Sequence, residues 1–471
     1  MLLNFFNSES REKEPFLLEK KVKIYTCGPT IYDFAHIGNF RTYVFEDLLR
    51  RTLRFFGHEV EQTMNITDVD DKTIRGATQK QVSLKEYTEP FRKAFFEDLK
   101  ELFIEPVEHY LDATDSIQEM ITIIETLLKK GYAYQTPQGS VYFKISEFSS
   151  YGRLAHLQLD KTSSCCSSSQ GEEADEYGKE RIADFVLWKA YDPLRDGSIF
   201  WDSPFGPGRP GWHIECSAMA MKSLGETIDI HCGGIDNLFP HHENEIAQSE
   251  CATGKRFVRY WMHAEHLLVN HQKMSKSLGN FYTLRDLLEK GYSGKEIRYL
   301  LIATHYRTQL NFTFQGLDAA RASLERLEAF MTRLEEIDGK EEGVGLNGLL
   351  DQKDLEFRKA LSDDLNISVA LATLFDLVRE VNHLSDRGQV GKEGALLVLQ
   401  LLKSWDLVLG LLPWEKKTIV FSEECEILLQ EREEARKKRD FARSDQLRKE
   451  IEAKGFMIED TPNGARLKKR G

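Results

Sequence analysis

The sequence contains a short lysine-bearing motif, KMSKS, from Lys273 to Ser277. Its two lysines, Lys273 and Lys276, flank small polar residues, and Gly279 follows as a hinge. Such a loop can bring cationic groups onto a polyphosphate as negative charge develops there. An ordinary exposed loop of lysine and serine is the alternative, but a match at five fixed positions favours the functional interpretation.

A second motif, PTIYDFAHIGN, ends at Asn39 and lies between a predicted strand and a predicted helix. The start of a helix attracts phosphate, and Gly38 would let a nucleotide approach the backbone. His36 can donate a hydrogen bond to a phosphate oxygen. Taken alone this pattern is weak, and a structural histidine in a turn is the better explanation of it.

A third group of residues has the side chains of a metal site. His241 and Glu245 are four residues apart and share one face if the segment is helical. Cys27 and Cys216 are candidate thiolates, and two cysteines, one histidine and one carboxylate would suit tetrahedral zinc. His242 and Cys232 are rival ligands, while His213 and His231 are equally explained as hydrogen-bonded side chains.

An α/β scaffold is predicted around the first motifs. Alternating apolar residues indicate a strand over 21–26, a helix follows over 40–56, and a second strand covers 60–67. A strand, helix and strand in this order form a βαβ unit with a parallel sheet. After about residue 312 the apolar spacing becomes helical throughout, which predicts a helical bundle, and a basic helix with a short end is expected over 418–471.

Composition limits the class of protein. The chain has 471 residues, 41% hydrophobic and 30% charged, which suggests about three globular domains. It contains no run of about 20 apolar residues, and its N-terminus does not resemble a secretion signal, so we expect neither a membrane span nor secretion. Seven irregularly spaced cysteines favour a reducing cytoplasm and leave thiols available for a metal.

The charge is uneven along the chain. The formal net charge is −13, yet basic residues gather near the C-terminus between Arg432 and Arg443 and again over the last residues. This asymmetry is compatible with local binding of a polyanion, but on charge alone a solvated helix face followed by a frayed tail is the favoured interpretation.

Six motifs in a fixed order resemble the cysteinyl-tRNA synthetase family, a group of class I aminoacyl-tRNA synthetases. They are CGPTIYDFAHIGN, NITDVDDK, DFVLWK, RPGWHIECSAM, DIHCGGIDNLFPHHENEIAQS and KMSKSLGN. The similarity covers nearly the whole chain. It implies ATP-dependent activation of L-cysteine, and transfer of the cysteinyl group to tRNA(Cys).

The resemblance also implies a domain order. A Rossmann-type, parallel-sheet catalytic domain would be split by a connective insertion, then followed by a helical bundle and a small anticodon-binding domain. The expected boundaries are 1–111 and 198–264 for the catalytic halves, 112–197 for the insertion, 265–311 for the stem-contact region, 312–417 for the bundle and 418–471 for the anticodon domain.

Site residues follow from the same resemblance. It assigns one Zn²⁺ to Cys27, Cys216, His241 and Glu245, and ATP with Mg²⁺ to His36, Gly38, Asn39 and Lys276, with Lys273 closing from the same loop. Residues Thr67, Trp212 and His231 are similar to those lining the family's cysteine pocket. The anticodon contacts are predicted at Arg436, Phe441 and Asp445, sharing one helix face. We expect a monomer.

Two positions depart from the pattern. Asn39 stands where class I enzymes generally carry a second histidine, and Phe441 stands where the family often has tryptophan. Asparagine can still donate a hydrogen bond to phosphate or ribose, and phenylalanine can still stack on a base. The Ser/Cys/Glu-rich loop at 163–178 has no assigned role.

Two other functions are retained as alternatives. A related ligase could join cysteine to an amino sugar, but such enzymes lack the C-terminal basic segment. A catalytically silent relative that binds RNA or zinc is the second, and the intact KMSKS motif and ligand set argue against it.

Overall fold

The computed structural model describes residues 1–17, 21–157, 184–339, 345–414, 423–461 and 464–469. The loop at 163–178, with Cys165 and Cys166, lies outside these residues. The described chain divides into two compact units, Met1–Leu412 and Pro413–Gly471, each described separately below. The boundary between the two units, after Leu412, lies five residues before the one predicted between residues 417 and 418.

The elements of the first unit are numbered in chain order. Those before the insertion's undescribed segment are β1 (Asn4–Asn7), β2 (Glu12–Pro15), β3 (Lys21–Thr26), α1 (Ile37–Phe55), β4 (Glu59–Ile66), α2 (Asp71–Lys80), α3 (Leu84–Glu101), β5 (His109–Asp112), α4 (Ile117–Lys130), β6 (Ala133–Gln135) and β7 (Val141–Phe143).

After that segment the chain resumes in alternating strands and helices. These are β8 (Phe185–Ala190), α5 (Pro193–Asp196), β9 (Gly208–Pro210), α6 (Trp212–Leu224), β10 (Ile228–Gly234), α7 (Ile235–Asn237), α8 (Glu243–Thr253), β11 (Val258–Ala264), β12 (Leu267–Val269), β13 (Gln272–Lys273), α9 (Leu284–Glu289), α10 (Gly294–Ala303) and β14 (Leu310–Phe312). The helical part comprises α11 (Phe314–Glu335), α12 (Leu346–Ser362), α13 (Ile367–Asp386) and α14 (Lys392–Leu409).

A five-stranded parallel sheet forms the centre of the first unit, in the order β11-β10-β3-β4-β5. The predicted Rossmann-type parallel sheet is therefore confirmed. In such sheets ligands bind beyond the carboxyl ends of the strands, where the strand order reverses. Here the reversal lies between β3 and β10, and the loop that follows β3 carries the PTIYDFAHIGN motif.

The insertion is a four-stranded antiparallel sheet in the order β6-β7-β8-β9. Its last strand, β9, lies beyond residue 197, the boundary predicted from sequence. A buried ionic network ties this sheet to α2: Lys189 Nζ lies 2.9 Å from Asp71, and Arg209 pairs with both Asp71 and Asp196. Because these cations are almost wholly buried, the carboxylates are needed to compensate their charge.

Two hydrophobic cores flank the central sheet. The first includes residues of α1 and continues through α10 into the helices α11 to α14. The second is built from α4, α6, α8 and the strands of the insertion. The helical apolar spacing predicted after residue 312 is seen in α11, where Leu317, Ala320, Leu327, Met331 and Leu334 are buried and Leu324 is partly buried. Asn366 caps α13 by accepting a hydrogen bond from the Val369 amide.

The second unit consists of two helices and a hairpin: α15 (Glu423–Lys437), α16 (Phe441–Ala453), β15 (Phe456–Thr461) and β16 (Gly464–Lys469). The prediction of one basic helix with a short end is wrong. Arg439 adopts a left-handed backbone conformation with φ of 61°, which ends α15, and Asp440 then caps α16 by accepting a hydrogen bond from the Arg443 amide. Within the described parts of the chain, no helix is long and apolar enough to cross a membrane.

Candidate active site

A buried polar cluster lies where β3 and β10 end. Cys27 directly follows β3, α6 supplies Cys216, the turn Leu238–His242 supplies His241 and His242, and α8 supplies Glu245. All five side chains are buried. The turn departs from helical geometry at Phe239, so two consecutive histidines both reach the cluster. A regular helix would place neighbouring side chains about 100° apart.

Four of these residues could hold one cation. One ligand atom each from Cys27, His241, His242 and Glu245 lies within 4.8 Å of the others. The Cys27 Sγ is 3.3 Å from His242 Nε2, while Glu245 Oε1 is 3.1 Å from His241 Nε2 and 3.9 Å from His242 Nε2. The structure therefore brings together three of the four predicted ligands.

The fourth predicted ligand, Cys216, lies beside this group and not in it. Its buried thiol interacts with the thiol of Cys27, and His242 occupies the fourth position. Of the two rival ligands, His242 therefore joins the group, whereas Cys232 is a buried residue of β10 outside it.

The chemistry of the cluster fits a divalent cation. Burial raises the pKa of Glu245 and of the Cys27 thiol, and lowers the pKa of His241 and His242, so the groups disfavour charge in an apolar setting. Glu245 Oε1 is fully buried, yet it makes no hydrogen bond of normal geometry. A bound cation would give this oxygen a partner. A cysteine sulfur, histidine imidazoles and a carboxylate are ligands that zinc commonly takes in proteins.

A second layer of side chains orients these ligands. His231 Nε2 lies 2.9 Å from Glu245 Oε2, and the Trp212 indole stacks on the His241 ring with centroids 4.2 Å apart. Thr67 donates a hydrogen bond of 3.1 Å to Glu215, the sequence neighbour of Cys216. The three predicted pocket residues thus all contact the cluster or its immediate neighbours.

Sequence reasoning missed one member of this layer, His263. Its Nε2 is 2.8 Å from His242 Nδ1, and its Nδ1 is 2.7 Å from Ser8 Oγ. When His263 donates its Nδ1 proton to Ser8, its Nε2 is left to accept a hydrogen bond from His242 Nδ1. His242 then carries its proton on Nδ1, and the lone pair on its Nε2 faces the cluster. His263 lies near the end of β11, which pairs with β10 in the sheet. A histidine near the carboxyl end of a predicted strand is the pattern that could have identified it.

The histidine motif forms the beginning of α1. His36 Nδ1 accepts a hydrogen bond of 3.2 Å from the Asn39 amide, and Asn39 Oδ1 accepts one of 3.0 Å from the His36 amide. This reciprocal capping box explains why α1 starts at Ile37, three residues before the predicted start. Asn39 thus closes the helix terminus in this structure, and the Nε2 side of His36 is left for other contacts.

The KMSKS motif lies against the same helix terminus. The Ile37 amide donates to the Tyr282 carbonyl at 3.0 Å, and a Cβ on Gly38 would come within 2.9 Å of Met274 Cε. Glycine at position 38 therefore leaves space for the Met274 side chain and for the His36 ring, which lies at the same distance from that Cβ position. Lys276 Nζ forms an ion pair of 2.5 Å with Asp33, a residue that the sequence analysis did not single out.

In the second unit, the three predicted anticodon residues do not share one helix face. Arg436 belongs to the last turn of α15, whereas Phe441 begins α16 and Asp445 follows on the same helix. The cause is the helix break at Arg439 and Asp440 described above. Phe441 is 65% exposed, which leaves its ring accessible for stacking.

The chain matches three protein families along its length. Residues 14–322 match the tRNA synthetases class I (C) catalytic domain, residues 356–413 the DALR domain, and residues 420–466 the cysteinyl-tRNA ligase anticodon binding domain. The order of these matches agrees with the order of elements in the structure.

Similar proteins extend over almost the whole chain. A cysteine–tRNA ligase of Protochlamydia amoebophila is 54% identical over 99% of this chain and 98% of its own length. That of Chlamydia muridarum is 53% identical and covers all of both chains. Among solved structures, methionyl-tRNA synthetase of Mycobacterium tuberculosis in complex with methionyl-adenylate superposes with a TM-score of 0.61 at 14% identity, covering 83% of this chain and 89% of that one.

The structural likeness shows the fold of class I synthetases. The match to the catalytic-domain family spans more than half of the residues, and the relatives share about half of all positions from end to end. The chain therefore belongs to the cysteine–tRNA ligase family of class I aminoacyl-tRNA synthetases.

Proposed function

We propose that this protein activates L-cysteine with ATP and transfers the cysteinyl group to the 3′-terminal adenosine of tRNA(Cys). The observation that carries the proposal is the buried cluster of thiol, imidazole and carboxylate groups at the end of β3, together with the contact between the next loop, PTIYDFAHIGN, and the KMSKS motif. A sulfur-binding site next to a phosphate-binding site is the arrangement that a cysteine-activating enzyme requires.

Zinc would be held by Cys27, His241 and Glu245, with Cys216 as the proposed fourth ligand and His242 as its rival. Zinc bound there would accept the substrate thiolate and favour sulfur over the harder hydroxyl oxygen of serine. An apolar pocket alone separates such near-isosteres by only about 1–3 kcal/mol. We therefore assign the selection of cysteine to this ligand set, one Zn²⁺ per chain.

The substrate would be oriented by residues of the second layer. Trp212 stacks on His241, and His231 holds the second oxygen of Glu245, so both side chains fix ligands while lining the space next to them. Thr67 is proposed to contact the substrate from the end of β4. These residues act by position and take no proton in the reaction.

Activation needs no protein base, because the nucleophile is the carboxylate of cysteine. A carboxylate oxygen attacks the α-phosphorus of ATP in line, the bond to the bridging oxygen breaks, and pyrophosphate leaves. Lys273 and Lys276 would stabilise the departing charge, while His36 and the amides at the start of α1 hold the phosphates, with Gly38 permitting their approach. Mg²⁺ would enter with ATP.

Transfer follows on the adenylate. The terminal ribose 2′-hydroxyl attacks the acyl carbon and an ester bond forms. The bond between the acyl carbon and the phosphate oxygen breaks, AMP leaves with the bonding electron pair, and the hydroxyl proton passes to a phosphate oxygen of the departing AMP. We assign Asn39 a role in holding phosphate or ribose through its amide NH₂ group, since its oxygen already accepts the His36 amide.

Recognition of tRNA would involve the second unit. We propose that Arg436 contacts phosphate, Phe441 stacks on an anticodon base and Asp445 accepts from a base edge. Because Arg436 and Phe441 belong to different helices, they would approach the anticodon from the two sides of the α15–α16 turn. We expect the enzyme to act as a monomer.

The domain order predicted above completes the proposal, with the first unit carrying both catalytic halves, the insertion, the stem-contact region and the bundle. Joining of cysteine to an amino sugar is the second candidate function. The matched anticodon-binding family at residues 420–466 disfavours it, since a small-molecule acceptor has no use for such a unit.

The test combines three measurements on the purified full-length protein. We expect about one zinc per chain, ATP–pyrophosphate exchange that depends on cysteine, and charging of tRNA(Cys) that serine does not support even in excess. Exchange with an amino sugar as the preferred acceptor, or full discrimination by metal-free protein, would refute the proposal.

A further inference from the structure

The second lysine of KMSKS, Lys276, forms an ion pair with Asp33 in the loop that follows β3. Lys276 Nζ lies 2.5 Å from Asp33 Oδ2, across 243 residues of sequence, and 5.1 Å from the centre of the Phe281 ring. Both partners of the pair remain partly exposed, with 67% of the Lys276 and 37% of the Asp33 side chain accessible. A solvent-exposed ion pair of this kind is weak and easily exchanged.

Asp33 is preorganised for this contact. Its other carboxylate oxygen, Oδ1, accepts a hydrogen bond of 2.8 Å from the Phe34 amide, which fixes the direction of the carboxylate. Phe34 is itself held by the Phe91 ring, 5.3 Å away, and by the Arg285 guanidinium, 5.5 Å above it. Asp33 therefore sits in an anchored loop, three residues before His36.

The backbone of the KMSKS loop is also anchored. Asn280 accepts from the Ser275 amide at 2.8 Å and donates to the Lys273 carbonyl at 3.2 Å, which closes the loop on itself. The bond from Ile37 to Tyr282 and the packing of Met274 on Gly38 attach it to α1. The Lys276 side chain can thus change partners without a large movement of its backbone.

We propose that Asp33 is a positioning residue, which holds Lys276 beside the start of α1 until the phosphates of ATP take its place. The inference deepens the proposed function and rests on it. Asp33 competes with ATP for one ammonium group, so it weakens ATP binding while keeping the lysine at the site. The exchange returns when pyrophosphate leaves, because Asp33 can recapture Lys276.

A different role for Asp33 would be to bind the Mg²⁺ that accompanies ATP. The two roles predict opposite effects of removing the charge. Loss of a competitor strengthens ATP binding, whereas loss of a metal ligand weakens it and raises the concentration of Mg²⁺ that the reaction needs.

The test is Asp33→Asn, which keeps an oxygen for the Phe34 amide and removes the charge. In cysteine-dependent ATP–pyrophosphate exchange we expect the KM for ATP to fall roughly two- to fivefold, with little change in kcat. A change of this size in affinity is what the loss of one weak, exposed ion pair produces. An unchanged KM refutes the competition. A raised KM, together with a raised Mg²⁺ requirement, refutes it in favour of metal binding.

A double-mutant cycle, measured as binding of nucleotide, tests this inference separately from the proposed function. The affinity for a non-hydrolysable ATP analogue with Mg²⁺ is measured in the wild type, Asp33→Asn, Lys276→Ala and the double variant, without cysteine. If Asp33 acts through Lys276, Asp33→Asn strengthens binding only where Lys276 is present. An equal gain in both backgrounds overturns the inference. Failure of the wild type to exchange with cysteine would instead refute the proposed function and leave this cycle interpretable.

Discussion

The guanidinium of Arg298 and the carboxylate of Asp47 lie 2.6 Å apart, and both side chains are completely buried. The pair joins α10 to α1, the helix that begins with the histidine motif. Arg298 also donates to the carbonyls of Leu409 and Leu102, at the C-terminal ends of α14 and α3. A cation is favoured at such helix ends, so Arg298 ties α10 to three other helices behind the proposed nucleotide site.

Replacing this arginine should be costly. Arg298→Met removes one of the two guanidinium groups that pair with Asp47, the other being that of Arg51. It also leaves buried carbonyls without this donor, so we expect a loss of about 2–4 kcal/mol in the free energy of unfolding. Denaturation by urea measures the loss. Lys93→Met, at an exposed pair with Glu97, serves as the control and should leave the midpoint unchanged. Equal midpoints for wild type and Arg298→Met would contradict the interpretation.

The fourth ligand of the proposed zinc site can be identified by comparing two variants. We expect Cys216→Ser to lose more zinc than His242→Asn, because a thiolate is the stronger ligand and the Cys216 thiol already touches that of Cys27. Metal content after dialysis against a graded chelator gives the comparison. Greater loss from His242→Asn would assign the position to the imidazole.

Stability should depend on pH through Asp98 on α3. Burial raises the pKa of Asp98 to about 6, although Arg285 Nε, 3.3 Å away, acts in the opposite direction. The unfolded value is about 4, so the folded protein binds the proton more tightly. The contribution of this group is therefore greatest below pH ~4, and falls as the pH rises to ~6, by at most about 1.4 kcal/mol per pH unit.

Asp98→Asn should remove this slope, and urea denaturation between pH 4 and 7 would show a smaller fall in stability than in the wild type. Glu97→Gln on the same helix is the matched control. The hydrogen bond from Arg285 lowers the pKa of Glu97, so its contribution to stability has the opposite dependence on pH. Parallel curves for Asp98→Asn and wild type would exclude the role of Asp98.

Removal of residues 413–471 should separate activation from tRNA recognition. The first unit ends at Leu412, where the Leu411 and Leu412 amides both donate to Asp406. These two hydrogen bonds lie within the first unit, so they would hold the new C-terminus of the shortened protein in place. We expect pyrophosphate exchange to be retained, while the KM for tRNA(Cys) rises by roughly tenfold or more, or about 1.4 kcal/mol. Equal loss of both activities would show that the second unit is structural.

The sequence predicted elements best where a local pattern determines them. The strand Lys21–Thr26 has the predicted bounds, because alternation of apolar residues is a property of the strand itself. The start of α1 was placed three residues late, since its signal is a pair of hydrogen bonds between His36 and Asn39. A histidine is an uncommon first partner in such a cap.

The site was predictable in composition but not in detail. Spacing suggested His241 and Glu245, and the structure brings them within 3.1 Å. The approach of His242 depends on the irregular turn at Phe239, which no helical spacing anticipates. The contacts of His263 and Asp33 join residues far apart in the chain, and such tertiary contacts leave no local pattern in a single sequence.

The two hydrophobic cores that flank the sheet would support different halves of the proposed reaction. Cys27 and Cys216 pack with the core that contains the insertion, whereas Ile31 and Ile37, next to the histidine motif, pack with the core that continues into the bundle. The residues proposed to select the amino acid and those proposed to bind the nucleotide are therefore packed in different hydrophobic cores. Substitutions in the core around Cys27 and Cys216 could therefore change the amino-acid specificity without disturbing the packing next to the histidine motif.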